Sequence, residues 1–236
     1  MTSLSGRFAR RWPLHVAIFV SAVIVVAGRY VMADWWWRNY AFKPLTTLLL
    51  SLLAATAPAA GAARYKKYLV LGLLCSLAGD IFLMLPHQLF LAGLAAFLLA
   101  HLCYLAAFFT DSRLTWRLSS PLWLLPGAFV FARIQPGLSP GLLAPVLLYL
   151  LVITMMAHQA YMRALTLRGT GAWMAAAGAL LFVASDSILA LNKFHARIDH
   201  AGIWILGTYY MAQWLIAASV YRTPDLLPEE HDGVHR

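Results

Sequence analysis

Two aspartates, Asp80 and Asp186, lie inside apolar runs long enough to cross a membrane. A charged side chain at membrane depth is costly and marks function by default. Carboxyls held there can take up and release protons, in catalysis or in an ion relay. Other polar side chains share their depth. His101 and Tyr104 are three residues apart and so share one helix face, and Tyr209, Tyr210 and Gln213 form a similar group. Ser76 lies one turn before Asp80. Lys193 lies two turns after Asp186 on the same face, next to Asn192, and Lys43 opens another apolar run. Both lysines are therefore expected at the membrane surface above the carboxyls.

The elements that must position these residues are membrane helices. Of 236 residues, 62% are hydrophobic and 11% charged, too few charges to cover a water-soluble fold. Long unbroken apolar runs, rather than alternation, favour helices over a barrel. The runs predict an all-α, polytopic protein of about eight transmembrane helices at 13–32, 42–60, 68–86, 89–109, 121–135, 140–161, 172–191 and 202–220. The fifth is short and flanked by Pro121, Pro126 and Pro136. Residues 1–221 read as one helical domain and 222–236 as a polar, disordered cytoplasmic tail. The first run is too long and too charged for a cleaved signal peptide, and Trp35, Trp36 and Trp37 follow it as an interfacial belt.

Lys and Arg set the expected orientation. Twelve fall on the side of both termini and six on the opposite side, which places both termini in the cytoplasm. At 1.5 Å per residue, both aspartates then fall roughly 4–7 Å outward of the bilayer centre. Residues 72–85 (GLLCSLAGDIFLML) also align without gaps to 178–191 (GALLFVASDSILAL), pairing Gly72 with Gly178 and Asp80 with Asp186. That echo suggests a 4+4 pseudo-repeat, with the two halves related by an axis along the membrane normal.

The net charge of +9 resides in segments between apolar runs, where topology and lipid headgroups account for it better than nucleic acid does. Cys75 and Cys103 lack metal or redox spacing and read as buried thiols. His195, Asp199 and His200 form only a loose group on a short loop, and no metal or other cofactor is expected. His158 falls near an inner helix end, where an interfacial role is expected. A proton- or cation-coupled transporter using Asp80 and Asp186 as a relay is the main rival to an enzyme. Against it, the two halves carry no matching Gly/Pro-interrupted half-helices. The Ala, Leu and Arg usage points to a bacterial inner membrane.

The stretches KPLT (43–46), GLLCSLAGDIFLML (72–85), GLAAFLLAHLCYLAAF (93–108), GALLFVASDSILALNKF (178–194) and TYYMAQWLIAAS (208–219) resemble the YhhN-like lysoplasmalogenase family of integral membrane proteins. The resemblance covers roughly residues 40–220. It implies a membrane hydrolase that cleaves the vinyl ether bond of a lysophospholipid, giving a fatty aldehyde and glycerophosphoethanolamine or glycerophosphocholine. Such a bond breaks after a proton is placed on the carbon β to oxygen. One of Asp80 and Asp186 would be the general acid, and the other would stabilise the oxocarbenium ion and activate water. His101, Tyr104, Tyr209, Tyr210 and Gln213 would orient these groups, and Lys43 and Lys193 would hold the lipid phosphate.

Overall fold

The computed structural model describes residues 11–31, 35–58, 62–85, 89–114 and 120–222. Among them are eight α-helices and no strand. They are α1 (Trp12–Val31), α2 (Trp35–Ala55), α3 (Ala63–Met84), α4 (Phe90–Phe108), α5 (Leu124–Ile134), α6 (Pro140–Leu167), α7 (Thr170–Phe194) and α8 (Ala201–Ser219). The expected tail lies outside the described residues except for Arg222, which ends a 3-10 turn after α8.

Among the described residues four helices, α3, α4, α6 and α7, are long and apolar enough to cross a membrane. Among the described residues α1 contributes the apolar stretch Trp12–Gly28. In α8, Thr208, Tyr209, Tyr210 and Gln213 lower the apolar content, and in α2, Arg38, Lys43, Thr46 and Thr47 do so. Several of these residues meet Asp80 in the fold. The fifth expected span departs most from expectation. Helix α5 has 11 residues, about 16 Å of rise and roughly half the hydrocarbon core. Short 3-10 turns, Ser120–Trp123 and Gln135–Gly137, flank it and carry two of the three prolines. Proline removes an N–H and is best tolerated at helix starts, which keeps the regular helix short.

Two helix boundaries matter for the site. Helix α2 begins at Trp35, so Lys43 lies about two turns inside it rather than at its opening. Hydropathy marks where an apolar run starts, not where backbone hydrogen bonding starts. Helix α6 continues to Leu167, past the expected end at 161, and carries His158, Gln159 and Arg163 in buried positions. Its last turn ends at Arg168, in the left-handed region at φ 53°.

Helices α3 with α4 and α7 with α8 are the most closely packed pairs. A glycine permits each approach. A Cβ on Gly72 would stand 2.3 Å from Cε1 of Tyr104, and one on Gly178 would stand 2.8 Å from the Ala212 carbonyl oxygen. Small residues at such crossings let membrane helices approach closely. Helix α8 also meets α1, α2 and α3, so its polar residues face several neighbours. The distribution of side chains suits a lipid solvent. Phe19, Leu99, Leu151, Trp204 and Met211 are exposed, whereas Thr47, Asp80, His101, Arg163 and Gln213 are buried. Val130, Ile134, Leu138 and Val146, from α5, the turn after it and the start of α6, form a small core of their own beside the main one.

Candidate active site

Asp80 lies one turn from the end of α3, and its side chain is 2% exposed. Its Oδ1 pairs with Lys43 Nζ of α2 at 3.3 Å. Its Oδ2 accepts hydrogen bonds from the Thr47 hydroxyl at 2.6 Å and the Tyr209 hydroxyl at 2.8 Å. Gln213, one turn after Tyr209 on α8, donates from Nε2 to the Tyr209 oxygen at 3.2 Å. Its Oε1 accepts from Tyr104 at 2.7 Å, and the Tyr104 hydroxyl also meets Ser76 Oγ at 3.3 Å. Residues from α2, α3, α4 and α8 thus form one polar chain through the bundle. A buried carboxylate requires such partners, because desolvation without them costs several kcal/mol.

Asp186 has a different environment. Its Oδ2 accepts a short hydrogen bond from the Tyr149 hydroxyl of α6 and lies 3.3 Å from His101 Nε2 of α4. His101 Nε2 and the Tyr149 hydroxyl are 2.8 Å apart, so the three groups close a triangle. The His101 Nδ1 is buried without a hydrogen-bond partner. A neutral ring protonated at Nε2 suits this arrangement, since it leaves no buried N–H unsatisfied.

The two carboxyls do not form a pair. Phe182, one turn before Asp186, stands edge-on to the rings of His101 at 4.7 Å and Tyr209 at 5.4 Å. It forms an aromatic partition between the clusters, with Phe97 against it at 6.3 Å. Only Asp186 opens onto the apolar pocket among α3, α4, α5, α6 and α7. Tyr149 and Asp186 lie along its wall, Lys193, Phe90 and Phe194 lie at one end, and Gly127, Ile153 and Thr154 lie at the other. The Lys193 ammonium rests over the Phe90 ring, 4.6 Å from its centroid.

The structure therefore distributes the expected residues. Lys43, Ser76, Tyr104, Tyr209 and Gln213 join Asp80, and His101 joins Asp186. Lys43 is a partly buried counter-ion, because the earlier start of α2 carries it down to the carboxylate. Tyr210 packs beside Tyr209 at 5.2 Å, and its buried hydroxyl lies towards Thr46 without forming a hydrogen bond. Asn192 belongs to neither cluster; its Oδ1 accepts the Ile198 N–H at 2.9 Å and shapes the loop after α7. His158 is buried and bonds Ser120 Oγ at 2.9 Å, contrary to the interfacial role expected of it. Cys75 and Cys103 are free and half-buried. Among the described residues no group of three or more His, Cys, Asp and Glu is placed to hold a metal.

Sequence reasoning missed Tyr149, Thr47 and Phe182. Tyr149 was within reach of the depth argument, since it lies nine residues into α6, a depth comparable to that of His101. A third polar group was also missed. Arg163 is fully buried and makes a bidentate pair with Asp111, with both contacts at 2.6 Å, while its guanidinium lies 4.4 Å over the Tyr65 ring. Tyr65 in turn bonds Ser219 at 2.7 Å. This cluster ties the segment after α4 to α3, α6 and α8 at the far end of the bundle.

The YhhN family model matches residues 38–220. Lysoplasmalogenase TMEM86B of Homo sapiens is 36% identical over 80% of this chain and 77% of its own length. The Sus scrofa protein of that name is 36% identical over 91% and 92%. An Escherichia coli protein described as an uncharacterized membrane protein, YhhN, is 32% identical over 87% and 97%. No solved structure matches. With a family match across all but the first helix and the tail, and relatives that span most of its length, this integral membrane protein belongs to the YhhN family.

Proposed function

We propose that this protein hydrolyses the vinyl ether bond of lysoplasmalogens, releasing a fatty aldehyde and a glycerophospho-alcohol, with Asp186 as the proton donor. The relatives named lysoplasmalogenase support the reaction. One observation supports the residue: Asp186, held by Tyr149 and His101, lies on the wall of an apolar pocket that has a lysine at its end. Lys193 is seven residues from Asp186, about 10 Å along the helix axis. The glycerol backbone separates a lysophospholipid's phosphate from its first alkyl carbons by a similar reach. With the phosphate at Lys193, the vinyl ether lies beside the carboxyl.

Asp186 gives its proton to the alkene carbon β to the ether oxygen, and the positive charge is shared by the α carbon and that oxygen. The carboxylate just formed lies beside the cation and stabilises it. Water adds to the α carbon and returns a proton to Asp186. The hemiacetal then collapses: its hydroxyl loses a proton, the ether oxygen gains one, and the C–O bond to glycerol breaks. One carboxyl thus serves first as acid and then as base, as in carboxyl-catalysed glycoside cleavage. Both Asp186 contacts are made through Oδ2, which leaves Oδ1 for substrate. Asp80 is a positioning residue. Through Tyr209 it supports the face of Phe182 behind the acid.

We further read the protein as an eight-span inner-membrane protein with cytoplasmic termini and two four-helix halves, the fifth span being α5 together with the 3-10 turns that flank it. Arg163 and Lys43 are engaged in ion pairs within the fold, and setting them aside leaves the Lys/Arg bias at eleven to five. The glycine-mediated pairs α3–α4 and α7–α8 support the two-half reading.

The test uses purified protein with a lysoplasmalogen and with its saturated alkyl-ether counterpart. Aldehyde should come from the first alone, because an alkyl ether has no alkene to protonate. In heavy water the aldehyde should carry one deuterium on the carbon next to the carbonyl. Asp186→Asn should lower turnover by at least about 100-fold, the usual worth of a positioned acid. Equal cleavage of both ethers, or near-normal turnover by the Asn variant, would overturn the mechanism.

A further inference from the structure

The pocket is unevenly divided by its acid. On α7 it extends eight residues above Asp186 to Phe194 but only three below it, to Val183. On α6 it extends from Tyr149 only to Thr154, five residues further. At 1.5 Å per residue these lower reaches are about 5 and 7 Å. The alkyl tail of a membrane lipid spans half a hydrocarbon core, roughly 15 Å. A substrate bound with its headgroup at Lys193 and its first alkyl carbons at Asp186 therefore runs out of pocket before it runs out of tail.

At the far end of the pocket two helices meet at a glycine. Gly127 of α5 meets Thr154 of α6 there, and a Cβ on Gly127 would stand 3.2 Å from Thr154 Oγ1. No other heavy atom would lie within 4 Å of that Cβ. Outside this seam the surface is apolar: Leu125 and Phe129 of α5 and Leu151 and Met155 of α6 are each about half exposed or more. Helix α5 packs in the small separate core with the start of α6, and Ala190, Leu191 and Phe194 at the end of α7 pack against that core.

We propose that the seam between α5 and α6 at Gly127 and Thr154 is a port through which the substrate's alkyl tail passes from the pocket into the bilayer. Gly127 then determines how long a tail is accepted. This rests on the vinyl ether reading of the pocket. A tail that ends above the seam does not need the port, whereas a tail of membrane-lipid length does. A bulky side chain at Gly127 closes the port and leaves the acid untouched.

The experiment compares two lysoplasmalogens of one headgroup, with but-1-enyl and hexadec-1-enyl chains, in wild type, Gly127→Ala and Gly127→Leu. Gly127→Leu should lower the long-to-short ratio of kcat/KM at least tenfold, with Gly127→Ala between it and wild type. Thr154→Leu narrows the seam from its other wall and should shift the ratio the same way if Gly127→Leu fails to fold. An unchanged ratio in a folded variant, or equal loss on both substrates, would overturn the port. In those cases aldehyde release by wild type still upholds the reaction. No aldehyde from either substrate with wild type would instead remove the reaction, and the port with it.

Discussion

The two aspartates look equivalent in sequence, but their partners separate them. Asp80 has a lysine, a threonine and a tyrosine within hydrogen-bonding or ion-pair distance, whereas Asp186 has a tyrosine, a histidine and a pocket. Removing Lys43 strands a buried carboxyl, so Lys43→Met should cost about 3–5 kcal/mol of stability, the usual penalty for half of a buried pair. Lys43→Met with Asp80→Asn should recover much of that loss. Thermal unfolding in detergent measures both variants. A lysine that only bound phosphate would raise KM and leave the melting temperature unchanged. Tyr149→Phe keeps the ring against His101 and removes the hydroxyl that reaches Asp186. A hydrogen bond to a charged group contributes about 1.5–3 kcal/mol, so kcat should fall on the order of 10- to 100-fold with little change in melting temperature. Unchanged kcat would remove Tyr149 from the site.

Helix contacts decide whether these side chains meet. Helices α7 and α8 approach closely at Gly178, one turn before Phe182 and two before Asp186 on the same face. Gly178→Val would press methyl groups into the Ala212 carbonyl and Ile216, and overpacking of this kind costs about 1–3 kcal/mol. Because the displaced helices carry Phe182 and Tyr209, activity should fall by more than the stability loss explains. Substitution at Gly141, where no atom would lie within 4 Å of an added Cβ, is the matched control and should alter neither. Comparable effects at both glycines would mean that the α7–α8 approach is not what holds the site. At the opposite end, the Arg163–Asp111 pair anchors the segment after α4. In sequence Arg163 resembled a topology residue because it lies near the end of an apolar run. Only the longer α6 revealed it as buried.

For the molecule as a whole, the inside-out distribution of polar and apolar side chains and the Lys/Arg bias lead to one expected topology. Single cysteines at 197 and 168, in a background with Cys75 and Cys103 removed, test it in intact bacterial cells. Residue 197 should react with an impermeant thiol reagent from outside, and residue 168 only after permeabilisation. The reverse pattern would turn the pocket's Lys193 end towards the cytoplasm while leaving its chemistry as described.

Composition and apolar run length alone determined that the protein is helical and membrane-embedded, because a bilayer admits few other ways to satisfy a backbone. The cost of polar groups at that depth similarly marked Asp80, Asp186, His101, Tyr104, Tyr209 and Gln213. Their grouping into two clusters was decided by tertiary structure. Helix rise sets the depth of a side chain, but it does not set which neighbour it faces. Rotation and approach of the helices depend on packing at Gly72 and Gly178, and on Phe182 filling the space between the carboxyls. For the same reason Lys43 reads as a surface cation in sequence and stands as the counter-ion of Asp80 in the fold.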